Sequence, residues 1–121
     1  MRPGVTFIGF AAVTVLMACA QNVSVGRAVY HEHCIMCHGE AGHGDGEFVD
    51  KLLIPPPDLT TLTRNNGGDF PRSRVSDAIT GDRRGDHLSG AMPAFSDVAG
   101  SGTIAEAKLG ALLTYLESLQ G

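Results

Sequence analysis

The chain has 121 residues, of which 43% are hydrophobic and 18% charged, which fits one compact domain and argues against a disordered charged tail. Its 9 Lys and Arg against 13 Asp and Glu give a formal charge of −4 without any basic run, so a nucleic-acid partner is not expected. With 16 Gly and no Trp, a core made only of its own side chains would be thin, and a cofactor, metal or disulfide is expected to support it.

The amino terminus has the pattern of an export signal. A short positive start, residues 1–3, precedes an uncharged apolar stretch from Val5 to Met17. This stretch is shorter than the roughly 20 residues that a helix needs to span a bilayer, and its length is typical of the apolar region of a signal peptide. We predict a signal peptide over residues 1–18, a short tether over residues 19–24 and the folded domain over residues 25–121.

Three fates of the signal segment are open, and all of them place the domain outside the cytoplasm. The sequence Leu-Met-Ala-Cys at residues 16–19 is similar to a bacterial lipobox, in which cleavage precedes the cysteine and lipid is attached to Cys19. Cleavage after Ala20 would instead release a soluble protein, and an uncleaved anchor is the third fate. The lipobox is the favoured interpretation, so we expect a periplasmic protein that is anchored to the membrane as a lipoprotein.

A first helix is predicted from Val25 to Cys34. Gly26 and Tyr30 lie four residues apart, so they share one face of this helix. Because glycine has no side chain, that face suits a close crossing with another helix.

Cys34, Cys37 and His38 form a C-x-x-C-H motif, the attachment signature of c-type haem. Two thiols three positions apart on a helix reach the two vinyl groups of one porphyrin edge, and His38 then supplies an axial nitrogen to the iron. A structural zinc site normally has a second pair of ligands, and a thioredoxin-like redox pair needs a βαβ context. A plain disulfide would leave His38 unexplained. One covalent haem c is therefore the predicted cofactor, with zinc and a disulfide as the alternatives.

Loops and short turns are predicted to connect the helices. Residues 39–57 are rich in Gly and Pro and are therefore expected to be loop. Residues 82–102 are expected to be loop as well. Asp58 is expected to cap a short helical turn over residues 58–62. The Asn-Asn-Gly-Gly sequence at residues 65–68 predicts a turn.

Two more helices are predicted. The second runs from Pro71 to Thr80, with Gly81 at its C-terminal cap. The last begins at a capping box over residues 103–106 and continues to about Leu119. No segment shows a convincing period of two, so the predicted fold class is all-α. The residues expected to face inward are Val75, Ala78 and Ile79 in the second helix and Ala105, Leu109, Leu112, Leu113, Leu116 and Leu119 in the last, with Tyr115 beside them.

Met92 is the predicted second axial ligand of the iron. The other methionines either leave with the signal peptide or lie within the attachment motif. Pro93 fixes its own φ and biases Met92 toward an extended conformation, so this loop can direct a thioether at a metal. His87 is the rival ligand and His43 a weaker one, and an open site is the remaining alternative.

From about Ser24 to Leu119 the chain resembles a single-haem class I cytochrome c of the bacterial, exported type. This resemblance implies a small helical fold wrapped around one covalently bound haem, with the first and last helices crossing. The matching elements are the C-x-x-C-H motif with Gly39 after it, Gly-Asp-Gly at residues 44–46, Pro-Asp-Leu-Thr at residues 57–60, Met92-Pro93 and the aromatic residue of the last helix.

The resemblance also identifies residues around the haem. Gly26 and Tyr30 in the first helix and Tyr115 in the last match the residues at which these helices cross in the family. Relatives often carry a proline after Gly-Asp-Gly, and its carbonyl accepts a hydrogen bond from the Nδ1 atom of the proximal histidine. This chain has Glu47 there. The carbonyl is retained but the rigidity of proline is lost, so we expect this departure to affect the reduction potential.

Iron bound by His38 and Met92 has no open position for oxygen or peroxide, so the expected function is one-electron transfer rather than catalysis. The expected partners are redox proteins that donate and accept the electron. Two alternatives are a haem subunit of a larger dehydrogenase or oxidase complex and a five-coordinate haem sensor or enzyme. The apolar shell expected around the haem comprises Leu52, Leu59, Leu62, Val75, Ile79, Pro93, Phe95, Leu112 and Leu116.

Overall fold

The computed structural model describes residues 6–82 and 91–121, and within these ranges it contains helices and loops but no strand. The all-α prediction is therefore confirmed. Short 3-10 turns at Val49–Lys51, Leu59–Thr61 and Arg64–Asn66 lie between the helices. The helices are α1 (Thr6–His33), α2 (Ile35–His38), α3 (Arg72–Thr80), α4 (Phe95–Ala99) and α5 (Thr103–Ser118).

Helix α1 is longer than the sequence predicts, since it begins at Thr6 rather than Val25. The segment over residues 19–24, which is expected to be a tether, is therefore helical in the structure. Residues 19–22 are exposed, and packing against the core begins at Val23. Among the described residues, no helix is both long enough and apolar enough to cross a membrane.

The pairing of α1 with α5 is the most extensive contact between helices in the described part of the chain. A Cβ atom at Gly26 would overlap the carbonyl oxygen of Ala111 and would stand 2.7 Å from the Cβ atom of Tyr115. The rings of Tyr30 and Tyr115 pack beside this contact, with centroids 5.4 Å apart and planes tilted by 55°. The close crossing predicted at Gly26 is confirmed, because only a residue without a side chain fits between the two backbones.

The core lies mainly between α1, α3 and α5. Tyr30 and Leu112 are its largest fully buried side chains. Val75 and Ile79 of α3 are buried as predicted, and Ala78 is half-buried. Of the predicted stripe on α5, Leu109 and Leu119 are partly buried at its margins, whereas the other members are buried: Ala105, Leu112, Leu113 and Leu116.

Several predicted element ends are confirmed. Asp58 caps its 3-10 turn by accepting hydrogen bonds from the backbone amide and hydroxyl of Thr60, at 2.8 and 2.6 Å. These two bonds hold the pKa of the half-buried Asp58 carboxyl below its ordinary value. Gly81 ends α3 in the left-handed conformation, with φ of 86°. The turn over residues 65–68 is present, and α5 ends at Ser118 with Leu119 as its cap.

Two local predictions are wrong. Residues 82–102 are not all loop, because α4 forms at Phe95–Ala99 and buries Phe95. Five residues are too few to show a helical period in the sequence. The capping box over residues 103–106 is also absent, since the N-cap of α5 is Gly102 and no side chain caps it. The Glu106 amide donates instead to the Gly102 carbonyl at 3.0 Å, which places Thr103 inside the first turn.

The side chain of Gln120, near the carboxyl-terminal end of the chain, bonds to the neighbouring segment and to α5. The Gln120 amide donates to the carbonyls of Leu59 and Leu116, at 2.7 and 2.8 Å, and its oxygen accepts from the Thr63 amide at 2.9 Å. These hydrogen bonds attach the segment that follows Asp58 to the end of α5.

Candidate haem-binding site

A largely apolar cavity of about 460 Å³ opens between α1, α2, α3, α5 and the segments at residues 52–62 and 91–98. All the residues predicted to attach, ligate or surround a haem line this single cavity. They are Cys34, Cys37, His38 and Met92, together with Leu52, Leu59, Leu62, Val75, Ile79, Pro93, Phe95, Leu112 and Leu116.

Other lining residues were not identified from the sequence. The sequence assigns Tyr30 only to the helix crossing, and it assigns the three prolines at residues 55–57 only to a loop, yet all four line the cavity. Arg74 belongs to no sequence motif. Ala78 is predicted to face inward on its helix but is not among the residues expected around the haem, whereas the positions of the remaining residues depend on how separate segments come together. The additional lining residues are Tyr30, His33, Ile54, Pro55, Pro56, Pro57, Pro71, Arg74, Ala78, Ala91 and Val98.

Cys34 and Cys37 are free thiols, and both are partly buried. Cys34 ends the turn between α1 and α2 and acts as the N-cap residue of α2, while Cys37 and His38 lie within α2. Burial raises the pKa of Cys34 to about 11, with a smaller contribution from the neighbouring Cys37. Burial thus keeps the Cys34 sulfur in its neutral thiol form. Neither cysteine is in a disulfide and both line the cavity, so the two sulfur atoms lie where a ligand of the cavity can meet them.

The loop at residues 39–48, which we call the return loop, folds back over α2 and bonds to its backbone. Three carbonyls of the attachment motif accept hydrogen bonds from three amides of this loop. A Cβ atom at Gly46 would overlap the Met36 carbonyl, so this close approach requires glycine. The bonds are Gly44 to His38 at 2.8 Å, Gly46 to Cys37 at 3.2 Å and Phe48 to Met36 at 2.9 Å.

Tyr30 connects the helix crossing to the end of the attachment motif. Its ring is fully buried, and its hydroxyl donates a 2.5 Å hydrogen bond to the carbonyl of Gly39, the residue after His38. Burial raises the pKa of this hydroxyl well above its ordinary value, so it stays a proton donor throughout the accessible pH range. The bond holds the carboxyl end of α2 against α1.

The candidate axial ligands differ in where the structure places them. His38 is buried and Met92 is half-buried, and both line the cavity. His43 does not line it; its Nδ1 atom lies 3.4 Å from a carboxylate oxygen of Asp58 on the exposed surface. His87 lies outside the described residues. In the described part of the chain, no three His, Cys, Asp or Glu side chains form a metal-binding group.

The residues present fit a haem. The cavity falls within the size range of about 300–1,000 Å³ that is typical of cofactor sites, and its walls are mainly aliphatic side chains and proline. Two unpaired thiols and a histidine stand together on one wall, and a thioether belongs to the same lining. An apolar slot with this donor set defines a c-type haem protein.

Comparison with known protein families agrees with this class. The family model described as Cytochrome c matches residues 23–120, which is most of the chain. The chain therefore belongs to the cytochrome c family, whose cofactor is covalently attached haem c and whose members generally carry electrons. The predicted membership of the c-type cytochromes is confirmed by this match. Neither the curated proteins nor the solved structures that were searched gave a match.

Proposed function

We propose that the protein is a one-electron carrier whose haem c is attached through Cys34 and Cys37 and whose iron is held by His38 and Met92. The observation that carries this proposal is the convergence of all four side chains on one apolar cavity. When bound, the haem exchanges a single electron between its ferrous and ferric states.

The chain's own residues have three tasks in this proposal. Cys37 and His38 lie within α2 and Cys34 is its N-cap residue, and hydrogen bonds from the return loop hold the carbonyls of Met36, Cys37 and His38. The aliphatic side chains of α3 and α5 exclude water, and an apolar shell with a methionine ligand favours the reduced iron. If His38 and Met92 both bind the iron, no position would remain for oxygen, which supports electron transfer rather than catalysis.

Covalent attachment predicts that haem stays with the protein when the exported chain is denatured in acid–acetone. Replacing both Cys34 and Cys37 with Ala should make all remaining haem extractable, because no sulfur then bonds the porphyrin. Cys19→Ser is the matched control and should retain covalent haem, since Cys19 lies on the exposed part of α1. Complete extraction of haem from the unaltered protein would contradict this attachment.

We further propose that Cys19 is lipidated and that the carrier is held at a bacterial membrane on its periplasmic side. The lipobox-like sequence that ends at Cys19 supports this proposal. Cys19 is also exposed, and the residues that pack against the core begin only at Val23. Each buried CH₂ of an acyl chain contributes roughly 0.8 kcal/mol, so several chains retain a protein firmly.

Cys19→Ser should therefore move the haem protein from the membrane fraction to the soluble fraction, while its visible spectrum stays the same. Mass spectrometry of the mature amino terminus gives an independent answer. An acylated Cys19 is the expected result, and a free amino terminus at Gln21 would show instead that cleavage after Ala20 produces a soluble shuttle.

A further inference from the structure

Tyr30 places its only polar side-chain atom against the end of the attachment motif. The residue is fully buried and lines the cavity, so its hydroxyl depends on a partner within the protein. That partner is the carbonyl of Gly39, at 2.5 Å, which is at the short end of the range for a hydrogen bond between two oxygen atoms. A buried bond of this length fixes the two groups that it joins.

Gly39 links α2 to the return loop. Its amide donates to the Ile35 carbonyl at 2.9 Å and ends α2, and its φ of 79° turns the chain away from the helix axis. Besides Tyr30, the Gly42 amide donates to the Gly39 carbonyl, at the longer distance of 3.3 Å. The Tyr30 hydroxyl therefore makes the shorter of the two bonds that hold this carbonyl.

His38 stands directly before this peptide. Its amide donates to the Cys34 carbonyl at 2.9 Å, and its carbonyl accepts from the Gly44 amide at 2.8 Å, so its own main chain is held by neighbouring backbone. The carbonyl of the next residue is held instead by a side chain of α1. Because the direction of a side chain follows from the backbone that carries it, the bond from Tyr30 bears on where the imidazole points.

We propose that Tyr30 is a positioning residue for His38, which orients the imidazole in the cavity through the Gly39 carbonyl and thereby tunes the reduction potential. This inference rests on the proposed function, because it takes His38 as a ligand of the iron. Groups that hydrogen-bond around a metal ligand orient that ligand and tune the metal. The ring of Tyr30 packs at the helix crossing, and its hydroxyl has this separate task.

Tyr115 provides the contrast within the same core. Its ring centroid lies 5.4 Å from that of Tyr30, and the residue is only 7% exposed. Its hydroxyl makes no hydrogen bond to any residue that the structure describes, and Tyr115 does not line the cavity. Removing either hydroxyl is the same chemical change, but only the loss of the Tyr30 hydroxyl breaks a bond next to His38.

Tyr30→Phe should lower the reduction potential. Phenylalanine keeps the ring but leaves the Gly39 carbonyl with only its longer bond, and a buried carbonyl that loses a partner draws water toward it. A wetter inner wall favours the oxidised iron, which carries one more positive charge than the reduced iron. His38 should also take more than one orientation, which should broaden or split the low-spin signal of the ferric iron in an electron paramagnetic resonance spectrum.

The test compares Tyr30→Phe with Tyr115→Phe in the exported holoprotein. Electron paramagnetic resonance measures the ferric signal, and potentiometric titration measures the reduction potential. We expect both to change in Tyr30→Phe and neither to change in Tyr115→Phe. With haem still attached, an unchanged signal and potential in Tyr30→Phe would overturn the positioning role, and so would equal changes in both variants.

A measurement on the unaltered protein provides the answer if Tyr30→Phe does not accumulate. In a proton NMR spectrum of the ferrous, diamagnetic holoprotein, the Tyr30 hydroxyl proton should exchange slowly with water, because it is buried and bonded. A proton that exchanges as fast as that of Tyr115 would overturn the inference. Extraction of haem from the unaltered protein in acid–acetone would instead overturn the proposed function, so the two failures are distinguishable.

Discussion

Met92→Ala is expected to open the iron to carbon monoxide and to abolish the weak near-infrared band that reports a sulfur–iron bond. Alanine cannot supply a ligand atom, and the half-buried Met92 lines the cavity from the loop that precedes α4. The reduced variant should bind carbon monoxide within the time of mixing, whereas the unaltered protein should not. Its reduction potential should also fall, because a methionine ligand favours ferrous iron.

Met36→Ala provides the matched control for this experiment. Met36 lies inside the attachment motif, is 40% exposed and does not line the cavity. The control should therefore keep the near-infrared band and exclude carbon monoxide. Retention of that band in Met92→Ala would contradict the ligand assignment, and a six-coordinate spectrum without the band would indicate a second histidine, with His87 as the candidate.

Gly26→Ala is expected to have the largest effect on stability. The added methyl group would overlap the Ala111 carbonyl, a backbone atom of α5 that cannot move without separating the two helices. Overpacking of this kind typically costs about 1–3 kcal/mol, and contact with a backbone atom places the cost at or above the upper end. Since small domains have only about 5–15 kcal/mol of stability, this cost is a large share of the total, and less Gly26→Ala holoprotein than unaltered holoprotein should accumulate.

Gly110→Ala makes the same chemical change at a helical position where an added Cβ meets nothing within 4 Å. It should stabilise the protein by about 0.5–1 kcal/mol, because alanine loses less backbone entropy than glycine in a helix. Guanidinium denaturation of both holoproteins, followed by circular dichroism, gives the two free energies of unfolding. Equal midpoints for the two variants would show that the crossing at Gly26 is not as close as described.

The site could be predicted well from the sequence for two reasons. The attachment motif places three functional residues within five consecutive positions, so no long-range information is needed to join them. On α3 and α5, the helical period determines which side chains face inward, and five of the side chains selected in this way line the cavity: Val75, Ala78, Ile79, Leu112 and Leu116. The family resemblance also identified the crossing at Gly26, which depends on two distant segments.

What could not be predicted depends on backbone geometry or on contacts between separate segments. Arg74 resembles any exposed arginine in the sequence, and only the three-dimensional structure places it in the lining of the cavity. The residues at 103–106 match a capping box, yet Gly102 competes for the cap position and the helix begins there. The length of α1 was missed because an apolar export signal and a helix that continues into the domain have the same local composition.

The return loop has a consequence for how such a carrier can change during evolution. It holds the attachment motif through main-chain bonds, and its exposed side chains, such as Glu40 and Glu47, contribute none of those three bonds. Charges in this loop can therefore be exchanged while the thiols and His38 keep their positions. Selection can adjust the electrostatic surface beside the cofactor, and with it the choice of redox partner, independently of cofactor attachment.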